Sequence, residues 1–159
     1  MAWRHAVAAS DQGLTSAPGL YALALYLSES REFAVGALGT HAFPAGYHVY
    51  VGSAWGPGGL SARVNRHLRG DGKRHWHIDY LRAQADPVTL WWAENAREEC
   101  VWAERLLAYS GTNVIVPHFG ASDCTCPAHL AHIGEALLSA DLFPGAHYVT
   151  MHATGKDVV

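Results

Sequence analysis

The feature that most constrains this chain is a run of eight apolar residues, Leu20 to Leu27. A membrane-crossing helix needs about twenty such residues, so a run this short, bounded by Gly19 and by polar residues, reads as a buried strand. Phe33, Val35 and Ala37 recur at period two, as do Tyr47, Val49 and Val51, with glycine and proline punctuating both stretches. That pattern predicts two further strands and, taken in order, a three-strand antiparallel meander. After the breaker Gly56-Pro57-Gly58-Gly59, the residues Leu60, Val64 and Leu68 fall on one face of a helix that Gly70 and Gly72 should end. A short helix over 75–84, a strand from Val88 to Trp92 and a patterned helix from about Asn95 to Tyr109 complete the readable part.

Half of the 159 residues are apolar, which is enough to bury one core, and neither an internal repeat nor a linker divides the chain. The expectation is a single domain over 1–159 of α/β (α+β) class, with a small antiparallel central sheet flanked by helices. The opening MAWRHAVAASDQG lacks the apolar core of a signal peptide. Three cysteines, Cys100, Cys124 and Cys126, cannot all pair, and their scarcity fits a reducing, cytoplasmic compartment. The net charge of −3 is unevenly spread. Between Gly58 and Gln84, Arg63, Arg66, Arg69, Lys73, Arg74 and Arg82 face only Asp71 and Asp79, a local +4. Such a stretch suits either a polyanion or a solvated helix face.

Within the basic helix, Arg63 and His67 are one turn apart and project from one flank. A guanidinium fork can hold two phosphate oxygens, and an imidazole can pass a proton near neutral pH. Glu99 falls on a helical wheel among Cys100, Trp102, Ala103, Leu106 and Leu107, whereas Glu98 and Glu104 fall on the flanks. A carboxylate in an apolar stripe requires a metal, an ion pair or a hydrogen bond. The segment from His75 to Tyr80 can stack on bases or line a site, or it can be a packed helix with a hydrogen-bonded histidine. Cys124, Cys126 and His129, with His132 nearby, offer zinc ligands, but spacing fixes no fourth one. The expectation is therefore two small buried thiols in a turn that Asp123 caps, with zinc not favoured.

Gly19-Leu20-Tyr21 and Tyr50-Val51-Gly52 resemble the two elements that name the GIY-YIG nucleases, and Arg63-x-x-x-His67 resembles their helix signature. The runs GLYAL, FPAGYHVYVGSAWGPGGLSARVNRHLR, HWHIDYL, EEC and FGASDCTCPAHL are similar to the Uri-type branch of that superfamily over 19–130. The resemblance implies a nuclease core at 19–130 and a C-terminal extension at 131–159. It implies a metal-dependent endonuclease acting on DNA, single-stranded or branched DNA included. In that reading Tyr21 helps to activate the attacking water, Tyr50 lies beside it and His67 is a proton partner. Arg63 holds the scissile phosphate, and Glu99 ligates one Mg²⁺ or Mn²⁺. Arg66, Arg69, Lys73, Arg74, His75 and His77 would contact the nucleic acid. The 28 residues between Tyr21 and Tyr50 imply that the strand near Phe33 is an insertion. The rival expectation is a non-catalytic nucleic-acid-binding module on the same fold.

Overall fold

The computed structural model describes residues 13–70, 72–134 and 138–151. The first twelve residues, Asp71 and the end of the C-terminal extension (152–159) lie outside the described residues. The central feature is a five-stranded sheet in the order β6-β4-β1-β5-β7, every neighbouring pair antiparallel. Its strands are β1 (Gly19–Leu27), β4 (Gly46–Ser53), β5 (Asp86–Glu94), β6 (Leu130–Gly134) and β7 (His147–Thr150). Helices α1 (Gly59–Arg69), α2 (His77–Arg82) and α3 (Glu99–Ala108) flank it, so the expected α+β class holds. No helix among the described residues is long and apolar enough to cross a membrane.

The apolar run of β1 occupies the middle of the sheet because it alone is buried along almost its whole length on both faces. Tyr21, Leu23, Leu25 and Leu27 pack with Leu60, Val64 and Leu68 of α1 and with Ile78 and Leu81 of α2. On the opposite face, Leu20, Ala22 and Ala24 pack with Trp91, Trp102, Leu106 and Phe143. The small alanines leave room there for the stacked rings of Trp102 and Phe143, whose centroids are 4.7 Å apart.

The expected meander is not formed. β1 pairs directly with β4, and the intervening chain folds into a separate two-stranded sheet of β2 (Arg31–Ala34) and β3 (Thr40–Phe43). Val35, the middle residue of the predicted strand, is followed by a 3-10 turn over Gly36–Leu38, so the period-two pattern ends early. The hairpin docks through Phe43, which is fully buried and stacks on Phe33 at 4.3 Å. The hairpin thus returns the chain to β1 without separating the two tyrosine-bearing strands.

Glycines bound α1 as expected, with Gly58 and Gly70 both in the left-handed region. The amides of Leu60 and Ser61 donate to the carbonyls of Ala17 and Thr15, which seats the start of the helix on the chain entering β1. At the other end, Arg82 donates to the carbonyls of His67 and Leu68 and so caps the last turn. Helix α3 starts at Glu99 rather than near Asn95, which itself takes a positive φ of 63°. The strands after residue 129, β6 and β7, form the two edges of the central sheet.

Candidate active site

The register of β1 against β4 creates the tyrosine pair. Tyr21 lies opposite Gly52 and Leu23 opposite Tyr50, so the two tyrosines are diagonal neighbours on one face, with ring centroids 6.2 Å apart. Gly52 is required here by close approach, since a Cβ on it would stand 2.5 Å from the Tyr21 hydroxyl. Helix α1 packs over that face and brings His67 to Tyr21, with Oη and Nε2 2.7 Å apart. Both residues are 1% exposed.

Burial lowers the His67 pKa to about 3, against the pull of Asp79 and with the help of Arg63 and Arg66, so the ring is neutral. Asp79 lies 4.0 Å from Nδ1 and favours the tautomer with its proton there. Nε2 then accepts the hydrogen bond that the Tyr21 hydroxyl donates. Burial, reinforced by the neighbouring Tyr50, raises the Tyr21 pKa well above its ordinary value, whereas Arg63 opposes the rise. Burial and the charge of Glu99 likewise raise Tyr50. Tyr21 is therefore a neutral phenol aimed at a neutral imidazole.

In front of this pair opens a cleft of ≈ 350 Å³ lined by Tyr50, Ser53, Arg63, Trp76, Glu99 and Asp123, among others. Tyr50, Arg63 and Glu99 thus share one concave surface, as the resemblance requires. Tyr21 and His67 do not line it; they sit behind Tyr50. The Arg63 guanidinium is held from two sides, donating to the Ser53 carbonyl at 2.8 Å and lying 4.3 Å from the centre of the Trp76 ring. The Glu99 carboxylate adds to the upward shift of both tyrosines.

The expected nucleic-acid contacts divide. Arg69, Lys73, Arg74 and His75 are exposed, and His75 also lines the cleft. Arg66 instead forms a two-pronged pair with Asp79, donates to the Lys73 carbonyl and lies over Trp76. Its partners come from within the fold. Burial favours a protonated Asp79, but the bonds from Arg66 and from the Trp76 and His75 amides outweigh it and lower the pKa. His77 lines the cleft while its Nδ1 accepts a hydrogen bond from the Gly120 amide at 2.8 Å, so it also serves as a packed, bonded histidine. Trp76, which holds both arginines, is the residue that sequence reasoning passed over as one aromatic among several.

Glu99 departs from its expected setting. Because α3 begins at this residue, the carboxylate stands where the apolar stripe runs out, with its side chain 28% exposed. Its compensation is an interaction with His129, whose Nδ1 is 2.9 Å from Oε2. Glu98 and Glu104 are exposed, as the wheel predicts.

The turn that holds Cys124 and Cys126 is also more than two buried thiols. Cys100, Cys124, Cys126 and His129 each present one ligand atom, all within 4.8 Å of one another, and the four form a group that can hold one metal ion. Sequence spacing offered His132 as a further ligand, but its Nε2 is committed to the Ala45 carbonyl at 2.8 Å. The fourth ligand is Cys100, which adjoins Glu99 and was read only as part of the α3 stripe. It comes from a segment 24 residues before Cys124, a separation no local spacing rule covers.

Comparison with curated proteins and with solved structures returns no match. A family model described as domain of unknown function DUF123 matches residues 20–147, from the second residue of β1 to the first of β7. That span contains every residue of the cleft and of the Cys3His group, and the chain belongs to the DUF123 family.

Proposed function

We propose that this chain is a metal-dependent endonuclease that hydrolyses phosphodiester bonds in DNA. The observation that carries the proposal is the placement of Tyr50, Arg63 and Glu99 around one cleft, with the Tyr21–His67 hydrogen bond directly behind it. A phosphate entering the cleft meets the Arg63 guanidinium, already oriented by Ser53 and Trp76, so little rotamer freedom is lost on binding. The phosphate also neutralises a cation that depresses the basicity of His67. Substrate binding therefore strengthens the acceptor of the Tyr21 proton.

Hydrolysis forms a bond from a water oxygen to phosphorus and breaks the ester bond opposite. The water proton passes into the tyrosine pair as Tyr21 hands its own to Nε2 of His67, which holds it until product leaves, and the leaving oxygen takes up a proton from solvent. The residues present fit a single hard cation: His129 engages one Glu99 oxygen, which leaves Oε1 for Mg²⁺ or Mn²⁺ with most of its hydration retained. Such an ion, when bound, supplies Lewis-acid stabilisation to developing charge.

One observation favours the rival, a non-catalytic nucleic-acid-binding module: Glu99 already has a partner in His129, so its carboxylate is explained without a catalytic metal. The experiment that separates the two incubates labelled single-stranded, double-stranded and branched DNA with the protein in Mg²⁺, Mn²⁺ or chelator. The proposal expects metal-dependent cleavage that Arg63→Ala and Glu99→Ala abolish. Binding without cleavage in every metal condition would establish the module instead.

A further inference from the structure

We infer that Cys100, Cys124, Cys126 and His129 bind one structural Zn²⁺, and that this ion, through His129, fixes the orientation of Glu99. The second half of the inference rests on the nuclease reading only in calling Glu99 catalytic.

The donor set is three sulfurs and one imidazole nitrogen, a combination that suits tetrahedral Zn²⁺ rather than a hard cation. A tetrahedron with ordinary Zn–S and Zn–N bonds has edges of about 3.6–3.8 Å. His129 Nε2 lies 3.5 Å from Cys124 Sγ and 4.0 Å from Cys100 Sγ, on either side of that length. All four ligand atoms lie within 4.8 Å of one another, and rotation of a thiol about its own side-chain bond can bring the sulfurs to the tetrahedral edge length. Cys126 and His129 are buried and Cys100 and Cys124 half-buried, so the ligands are largely enclosed, as in a structural site. Binding replaces three thiol protons with the metal and leaves the imidazole neutral.

The orientation of His129 is an independent sign. With Nδ1 directed at the Glu99 carboxylate, its proton belongs on Nδ1 and the Nε2 lone pair faces the thiols. A carboxylate, a histidine and zinc in that sequence is the usual way an outer carboxylate fixes a metal-binding imidazole. The same bond works in reverse on Glu99. A histidine immobilised by zinc gives the carboxylate a fixed anchor at Oε2, although the residue begins a helix and is partly exposed.

The fold also needs a fastening at this place. Between α3 and β6 the chain runs over 109–129 with no helix or strand, only an isolated bridge from Asn113 to His132. Structureless connections of that length are uncommon in a small domain unless something secures them. The loop supplies Ser122 and Asp123 to the cleft and Gly120 to His77. Zinc joining Cys100 of α3 to Cys124, Cys126 and His129 would pin this wall of the cleft to the helix that carries Glu99.

The test is elemental analysis of the reduced, full-length chain purified without added metal, followed by Co²⁺ substitution and by zinc competition against a chromogenic chelator. The inference expects about one zinc per chain, a tetrahedral cobalt spectrum with thiolate charge-transfer absorption, and their loss in Cys100→Ser. Zinc below about 0.1 per chain in folded wild type that also fails to take up Co²⁺ overturns the site. Glu99→Gln, at a partly exposed position, tests the link without removing a ligand. It should weaken zinc binding about 10- to 100-fold, the usual effect of losing such an outer partner, and an unchanged affinity overturns the link. These readouts need no cleavage, so a zinc-loaded protein that fails to cut DNA counts against the nuclease reading and leaves the zinc site standing.

Discussion

At the scale of single residues, burial keeps several titratable side chains of this protein neutral. His67 is lowered to about 3 and His48 to about 4, both chiefly by burial. His48 packs between Phe43 and His132, with Nε2 donating to the Pro44 carbonyl at 2.9 Å. A histidine with its folded pKa below the unfolded value of about 6.5 takes up its proton more readily in the unfolded chain. Its stabilising effect is complete above that pH and is lost as pH falls from about 6.5 toward the folded value. Each such group costs about 1.4 kcal/mol per pH unit across that window. Denaturant unfolding of the wild type should therefore weaken steeply between pH 6.5 and 4. His48→Gln, which keeps a donor for Pro44, should reduce the slope by about one proton's worth. An unchanged slope would mean that His48 is charged in the fold. Of these features, the sequence reveals Tyr21, Tyr50, Arg63 and His67 through ordered short motifs. His48 is invisible there, because only the fold decides whether a histidine in a strand is buried.

At the scale of elements, helix α1 matters most, since it carries Arg63 and His67 on one flank and buries Leu60, Val64 and Leu68 on another. Its limits are legible because the glycines that start and stop it have a physical reason to be there. The device that holds its last turn is not legible. Arg82 lies in another helix and donates three hydrogen bonds, to His67, Leu68 and Ala85. Arg82→Ala strands those carbonyls and should cost about 3 kcal/mol in denaturant unfolding. Lys73→Ala, an exposed side chain in the same basic stretch, should change stability by no more than about 0.5 kcal/mol. Equal effects would show that Arg82 is solvated rather than a cap. The start of α3 was misplaced for a related reason. Helical periodicity continues back through Asn95 on paper, while the backbone turns there with positive φ. Edge strands β6 and β7 do not stand out in the sequence, because LAHIG and HYVT are too short to show a period and their partners are far away in sequence.

At the scale of the whole molecule, the local surplus of cations divides into a part that builds the fold and a part that faces outward. Arg66 and Arg82 are used internally, whereas Lys73 and Arg74 are exposed and Arg63 lines the cleft. Affinity for duplex DNA should therefore fall with salt at a logarithmic slope of about −2 to −3, roughly 0.9 for each phosphate neutralised. Arg74→Ala should lower the slope by about 1, measured by fluorescence anisotropy over a salt series. A slope near zero would exclude the polyanion surface. Acidic net charge conceals this arrangement, and so does a sequence count that cannot separate an arginine paired with Asp79 from one that faces solvent. The central claim is that the buried Tyr21 hydroxyl, held by His67, serves bond breaking rather than binding. It is tested most directly by single-turnover cleavage of labelled DNA in Mg²⁺ or Mn²⁺, comparing wild type with Tyr21→Phe while anisotropy follows binding of the same substrate. The account predicts affinity unchanged within about twofold and a cleavage rate about 10²- to 10⁴-fold lower, the usual contribution of a positioned proton-transfer group. Cleavage by Tyr21→Phe at the wild-type rate would contradict it.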